Sequence, residues 1–315
     1  MSGLCPVTLH EIERETYHYL WNNEHKPVAR IEPGDRVQFE VNEVTSWQIT
    51  KNAKLVDLAK LDQAKLYPLS GPVFIEGASE GDALSIEVEE IKTKDWGWSA
   101  IVPGLGLLPE FTEAYLWIWD LSKSDKFVDF KNKIKVPLSP FCGVMGVAPR
   151  EKGAFEVIPP GKHGGNMDIK HLTVGSKLLL PVWTKGALFS VGDMHAAMGD
   201  GEVCITAIEC PGHVRLKFEL IKGANIPGPR FITKGRAEAN PGGSFVATGI
   251  APDLLEACRL ATRNMIDYLV REHNLERNEA YILCSVAADL KIHEVVDAPN
   301  WVAGLWIAKT VLGLK

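Results

Sequence analysis

The sequence predicts an α+β protein: a β-rich body, barrel- or sandwich-like, with a pair of helices near the C-terminal end. Three observations carry this reading. Between about residues 30 and 221, short apolar or alternating runs recur between Gly, Pro, Asn and Asp, the spacing of strands joined by tight turns. At Pro252 the period changes to a helical stripe. A chain of 315 residues, 46% hydrophobic and 23% charged, can also bury the core that such a body needs.

The strand-like runs include Val37-Gln-Phe-Glu-Val41, Ala83-Leu-Ser-Ile-Glu-Val88, Leu116-Trp-Ile-Trp119, Lys177-Leu-Leu-Leu-Pro181 and Val203-Cys-Ile-Thr-Ala-Ile208. Pro33-Gly-Asp35, Glu80-Gly-Asp82 and Val174-Gly-Ser176 each precede such a run and look like turns of one design. After Pro252, Asp253 and Glu256 suit the first turn of a helix, and Leu254, Leu255, Cys258, Ala261, Met265 and Leu269 form its stripe. That helix is expected to reach His273 or Asn274. A second helical pattern covers 279–287. The simplest organisation is one unit, 1–315; the change of period also allows a β-rich body, 1–250, with a helical part, 251–315, packed on it.

A net charge of -6 excludes the basic footprint that nucleic acid requires. No basic, apolar leader opens the chain, and no run of about 18 apolar residues occurs in it. The expectation is a soluble, cytoplasmic protein with neither nucleic acid nor membrane as a partner. The six cysteines lack CxxC spacing and read as reduced, mostly packing thiols.

The stretch Phe189-Ser-Val-Gly-Asp193-Met-His195-Ala-Ala-Met-Gly-Asp200-Gly-Glu202 brings three acids and a histidine close together in sequence. On extended backbone, residues two apart share a side, which pairs Asp193 with His195 and Asp200 with Glu202. A turn at Ala-Ala-Met-Gly would let both pairs converge. Three buried carboxylates need water or a cation to compensate them. Imidazole with carboxylates suits Zn²⁺, and an all-oxygen subset suits Ca²⁺ or Mg²⁺. The bland alternative is a solvated Gly-rich hairpin. A second cluster, Pro160-Gly-Lys-His163-Gly-Gly-Asn166-Met-Asp168, repeats the alternate spacing, and it too reads equally as a surface turn. Asn42-Glu43-Val-Thr45-Ser46-Trp47-Gln48 is either an amide-orienting run or a capped turn. Cys142 is a weaker candidate nucleophile. His171, His213, His273 and His293 show no partner at metal-ligand spacing and read as structural.

Several of these segments together resemble the acetamidase/formamidase family. They are Asn42-Glu-Val-Thr-Ser-Trp-Gln48, Gly71-Pro-Val-Phe-Ile-Glu-Gly77 with Gly81-Asp82, Phe141-Cys-Gly-Val-Met-Gly-Val-Ala-Pro149, the His163 to Asp168 cluster, and Gly186 through Glu202. The resemblance implies hydrolysis of a small amide to carboxylate and ammonia, a mostly β fold, a divalent metal with Zn²⁺ first and Ca²⁺ or Mg²⁺ as alternatives, and a homo-oligomer, a dimer or larger. It implies a site in which Asp193 and His195 hold metal, with Asp168 and Asp200 as further ligands. Glu202 is then the general base, a role that Asp200 or Asp168 would fill almost as well, and Asn166, Gln48 and His163 face the substrate. Met198 stands where many relatives have Gln, which points to a less polar substrate or a differently held metal. The rival readings are a thiol-dependent amidase using Cys142, and a non-catalytic metal-binding or amide-sensing protein.

Overall fold

The computed structural model describes residues 7–106, 110–130, 134–202, 204–234, 243–277, 280 and 288–312. In chain order the first part forms β1 (Leu9–Ile12), β2 (Tyr17–His18), β3 (Ala29–Ile31), β4 (Arg36–Val41), α1 (Leu55–Leu58), β5 (Leu69–Ile75), β6 (Ala83–Thr93), β7 (Trp96–Ile101), β8 (Tyr115–Asp120), β9 (Phe127–Phe130) and β10 (Ile134–Pro137). The rest forms β11 (Phe141–Gly146), β12 (Gly164–Asn166), β13 (Lys177–Pro181), β14 (Phe189–His195), β15 (Gly212–Ile221), β16 (Arg230–Ile232), β17 (Ser244–Ala251), α2 (Leu254–His273), β18 (Ala288–Glu294) and β19 (Trp301–Ala308).

Nine strands make one sheet in the order β1-β4-β15-β6-β13-β16-β17-β19-β18, and a second runs β12-β11-β14-β5-β2, with β3 added parallel to β5. Neither closes on itself among the described residues, so the body is sandwich-like and not a barrel. Alternation explains the first sheet. Val37, Phe39 and Val41 of β4, Leu84, Ile86 and Val88 of β6, and Val214, Leu216 and Phe218 of β15 are all buried, while the residues between them are at least partly solvated. The second sheet's β5, β11 and β14 are buried throughout. Phe189 of β14 meets Phe39 and Phe218 at ring separations of 6.1 and 5.1 Å, which places one sheet on the other.

The three glycine turns share one design. In each, the last residue's N–H donates to the carbonyl three residues back, at 3.1 Å for Asp35, 3.1 Å for Asp82 and 3.0 Å for Ser176. Gly34, Gly81 and Gly175 take φ of +103, +91 and +89°, backbone that a Cβ disfavours. Each turn delivers a strand of the nine-stranded sheet: β4, β6 and β13.

Helix α2 begins as expected, with the Asp253 carboxylate accepting from Glu256 N at 2.8 Å, and ends on Asn274 in left-handed backbone. It buries Ala257, Ala261, Met265, Ile266 and Leu269, and Tyr268 stacks on Phe245 of β17 at 3.6 Å. Leu255, expected in the stripe, is exposed. The second helical pattern, 279–287, lies outside the described residues except for the buried Ala280. Beyond it the chain returns to the sheet as β18 and β19, and β19 pairs along the whole of β17.

One further expectation fails. The run 203–208 is not a strand in its described residues. Ile205 takes a φ of +74°, and Ala207 N is tied to the Glu209 carboxylate at 2.8 Å, so the backbone turns where alternation suggested extension.

Candidate active site

Strand β14 supplies the centre of the site. Its last residues, Asp193 and His195, pair against β11, with Phe141 opposite His195 and Cys142 opposite Met194. β11 also pairs with β12, whose Asn166 leads into Asp168, and Asp168 N approaches Gly143 O at 3.3 Å. These pairings bring Asp168, Asp193 and His195 together from two distant stretches of sequence.

His195 Nε2 stands 3.3 Å from Asp193 Oδ1 and 3.0 Å from Glu209 Oε2, and Nδ1 stands 3.7 Å from Asp168 Oδ1. None of the carboxylate oxygens in these three contacts has a hydrogen bond of proper geometry, and neither does His195 Nδ1. Glu202 joins His195 and Glu209 in one group, and Asp168 and Asp297 in another, with candidate donor atoms of each group within 4.8 Å of one another. Asn166 Nδ2 donates to Asp297 Oδ2 at 2.7 Å, and Asp297 N donates to Glu294 at 2.5 Å. All of these side chains are buried.

The charge balance is lopsided. Asp168, Asp193, Glu202, Glu209, Glu294 and Asp297 are acids, and His195 is the one basic group in the set. Burial pushes the Asp168 carboxyl up to about 6 and those of Glu209 and Glu294 to about 8, and drives Glu202 and Asp297 well above the usual range. For His195, burial opposes the imidazolium, but the Glu209 and Asp193 carboxylates outweigh it and raise its pKa. Backbone strain collects here too: Asp168, Asp193 and Glu202 take φ of 45, 54 and 44°, the left-handed region.

Asp200 does not share this centre. Its carboxylate meets Lys170 Nζ at 2.8 Å, His171 Nε2 at 3.4 Å and His293 Nδ1 at 3.9 Å. Although burial opposes ionisation, these neighbours hold its pKa far below the usual carboxylate range. The expected pairing with Glu202 assumed extended backbone, whereas Gly201 and Glu202 both take positive φ and send the two side chains apart. His171 and His293, expected to be structural, therefore form a second group with Asp200 that has the make-up of a metal site.

Other candidates fall outside the centre. Gln48 is half-buried and exchanges two hydrogen bonds with the Asp62 backbone, at 2.7 and 3.1 Å. It ties a loop. His163 packs edge-on to Trp21 at 5.1 Å, and burial lowers its pKa to about 4. Asn166 touches the site through Asp297. The run around Gln48 is a capped turn built on Glu43, which accepts from Thr45 N, Thr45 Oγ1, Trp47 N and Trp98 Nε1 at 2.6–3.0 Å. Cys142 is buried, and burial pushes its thiol up to about 12, so little thiolate exists near neutral pH. Met198 and Trp117 line a cavity of about 780 Å³ that also reaches Glu202.

Sequence reading missed Glu209, Glu294 and Asp297. Glu209 had a signal, an acid inside the apolar run Ala207-Ile-Glu-Cys210. Asp297 had none, since it reaches Asp168 and Asn166 through the fold.

The Acetamidase/Formamidase family profile matches residues 8–154 and 150–313. A formamidase of Methylophilus methylotrophus is 29% identical over 92% of this chain and 88% of its own length. An acetamidase of Mycolicibacterium smegmatis is 27% identical over 84% of each. The crystal structure of an acetamidase from Bacillus halodurans superposes with a TM-score of 0.89 at 33% identity, covering 96% of this chain and 98% of that one. A profile that spans nearly the whole chain, with the fold in agreement, assigns this protein to the acetamidase/formamidase family.

Proposed function

We propose that this protein hydrolyses the C–N bond of a primary amide, releasing a carboxylate and ammonia. One observation carries the reading beyond family membership: a buried, strained set of acids around His195 opens onto a cavity through Asp193, Glu202 and Glu209. Structural ion pairs do not need such access.

The donor set fits a divalent cation. Asp168, Asp193 and His195 each carry a buried polar atom without a hydrogen bond, candidate donor atoms of the three lie within 4.8 Å of one another, and the face of Gly143 forms a cradle against all three side chains that a Cβ would fill. Those three would hold the ion, with Glu202, Glu209 and Asp297 near enough to contribute. Imidazole with carboxylates suits Zn²⁺, and the all-oxygen group suits Ca²⁺ or Mg²⁺. When bound, such an ion supplies a Lewis acid and lowers the pKa of its water towards 7.

The protein's own groups handle the proton. Glu202 lines both the approach and the acid cluster, so it is the base that takes a proton from the attacking water. As the C–O bond forms and the C–N bond breaks, the same carboxyl returns that proton to the departing nitrogen. Glu209, 3.0 Å from His195 Nε2, is the charge partner of that ring, and Asn166 orients Asp297 by a hydrogen bond.

Metal analysis of the purified protein with ammonia release from formamide and acetamide tests the proposal. Extensive chelation is expected to abolish turnover and a divalent ion to restore it. Full activity in a metal-free preparation overturns the metal assignment, and a metal-loaded protein that releases no ammonia from any amide overturns the hydrolase reading.

A further inference from the structure

Above Asp193, Glu202 and Glu209 lies a cavity of about 390 Å³, at the scale of pockets that enclose whole organic ligands (about 300–1,000 Å³). Its walls are mostly apolar, among them Leu58, Tyr67, Trp98, Ile101 and Ile205, with Thr45, Gln63 and Thr206 as neutral polar neighbours, and its lining has no charged side chain apart from the three acids at its floor. The cavity is built, not incidental. Glu43 anchors one wall, because its buried carboxylate holds both the Thr45 turn and the Trp98 indole. Tyr67 and Ile205 reach the walls from left-handed backbone at φ of 56 and 74°, conformations that cost stability, above all for a β-branched side chain.

We infer that the substrate is a primary amide whose acyl group is an extended apolar chain, larger than acetyl, seated in this cavity; the inference rests on the amidase reading. Formamide would leave the whole apolar volume without a partner, and acetamide would fill little of it. A primary amide releases ammonia, which carries no substituent, so the acyl side alone can use the space. The carboxylate floor disfavours an anionic tail, and the walls away from it hold no acid to pair with a cationic one, whose desolvation would go uncompensated. The larger neighbouring cavity is the weaker choice, since of the three acids it meets Glu202 alone.

The test is ammonia release by the metal-loaded enzyme with acetamide, butyramide, hexanamide and a hexanamide bearing a terminal ammonium. kcat/KM is expected to rise roughly fourfold per methylene until the chain fills the cavity, the increment of burying one CH₂. The terminal ammonium should cancel the gain, lowering kcat/KM at least roughly tenfold below hexanamide. Leu58→Trp, which fills the wall, should lower the hexanamide-to-acetamide ratio by roughly tenfold or more. A wild-type ratio at or below unity overturns the inference while leaving the amidase reading intact, as does a ratio that Leu58→Trp does not move. Ammonia from none of the four amides, nor from formamide, would instead sink the amidase reading beneath it.

Discussion

Gly143→Ala places one methyl group inside the candidate ligand set. The glycine sits between the paired positions Cys142–Met194 and Val144–Gly192, facing the ends of three site side chains. A Cβ built there falls 2.3 Å from Asp168 Oδ1, 2.8 Å from Asp193 Oδ2 and 2.9 Å from His195 Cε1, whereas ordinary contact begins near 3.4 Å. Asp168 must therefore retreat by roughly 1 Å, a misplacement that can cost about 100-fold in rate. The strand itself tolerates alanine, so the stability penalty is that of overpacking, about 1–3 kcal/mol, and Tm should fall by no more than several degrees. Bound-metal stoichiometry and kcat/KM for amide hydrolysis are the readouts, with thermal unfolding as the check on folding. Gly199→Ala is the control, because a Cβ at Gly199 meets nothing within 4 Å. A folded Gly143→Ala protein with full metal content and normal turnover would refute the assignment of Asp168, Asp193 and His195 as the ion's site.

Three further perturbations separate the roles. His195→Ala should lose metal and activity together, whereas Glu202→Gln should keep the ion while turnover falls roughly 100-fold or more; loss of the ion from Glu202→Gln would move Glu202 into the coordination sphere. Cys142→Ala should retain most activity, since burial holds the thiol near 12; complete loss in a folded, metal-loaded variant would revive a thiol route. Asp82 tests a structural turn: burial opposes its charge, but Lys222 at 2.6 Å with the Gly223 and Ser79 donors holds its pKa down to about 2, against 3.8 when unfolded. The stability it adds is thus present above about pH 4 and disappears as pH falls to about 2, so the difference in unfolding free energy between wild type and Asp82→Asn should vanish over that window. A difference that does not change with pH would rule the linkage out.

The parts of the fold legible in the sequence are those whose cause is local. The turns before β4, β6 and β13 were readable because Gly supplies positive φ and the following Asp or Ser closes the turn. Helix α2 was readable because its cap, stripe and stop lie within one stretch. The return of β18 and β19 to the sheet had no local cause. β18 is an edge strand that exposes Leu290 and Ile292, so its pattern carries no alternation toward a core, and its place comes from pairing with β19.

The same division runs through the site. Asp193 and His195 are two residues apart on one strand, so their contact was written locally. Asp200 and Glu202 are also two apart, yet the rule fails because Gly201 permits a conformation in which neighbours no longer alternate, and Glu202 adopts one at a cost. Period-two reasoning is least safe at such a Gly between acids, where function places strain. Asp168, Glu209 and Asp297 lie just outside the strands and meet His195 or one another only because the fold brings their segments together, Glu209 through an isolated bridge to His195. No spacing rule reaches from 168 to 297; what links them is the accumulation of buried acids whose charge must be neutralised, by protonation, as their raised pKa values allow, or by the cation proposed above. Glu209 and Asp297, which periodicity missed, are thus among the acids electrostatics identifies once the strands are in place, and Glu209 lies with Asp193 and Glu202 at the floor of the apolar cavity proposed to hold the substrate.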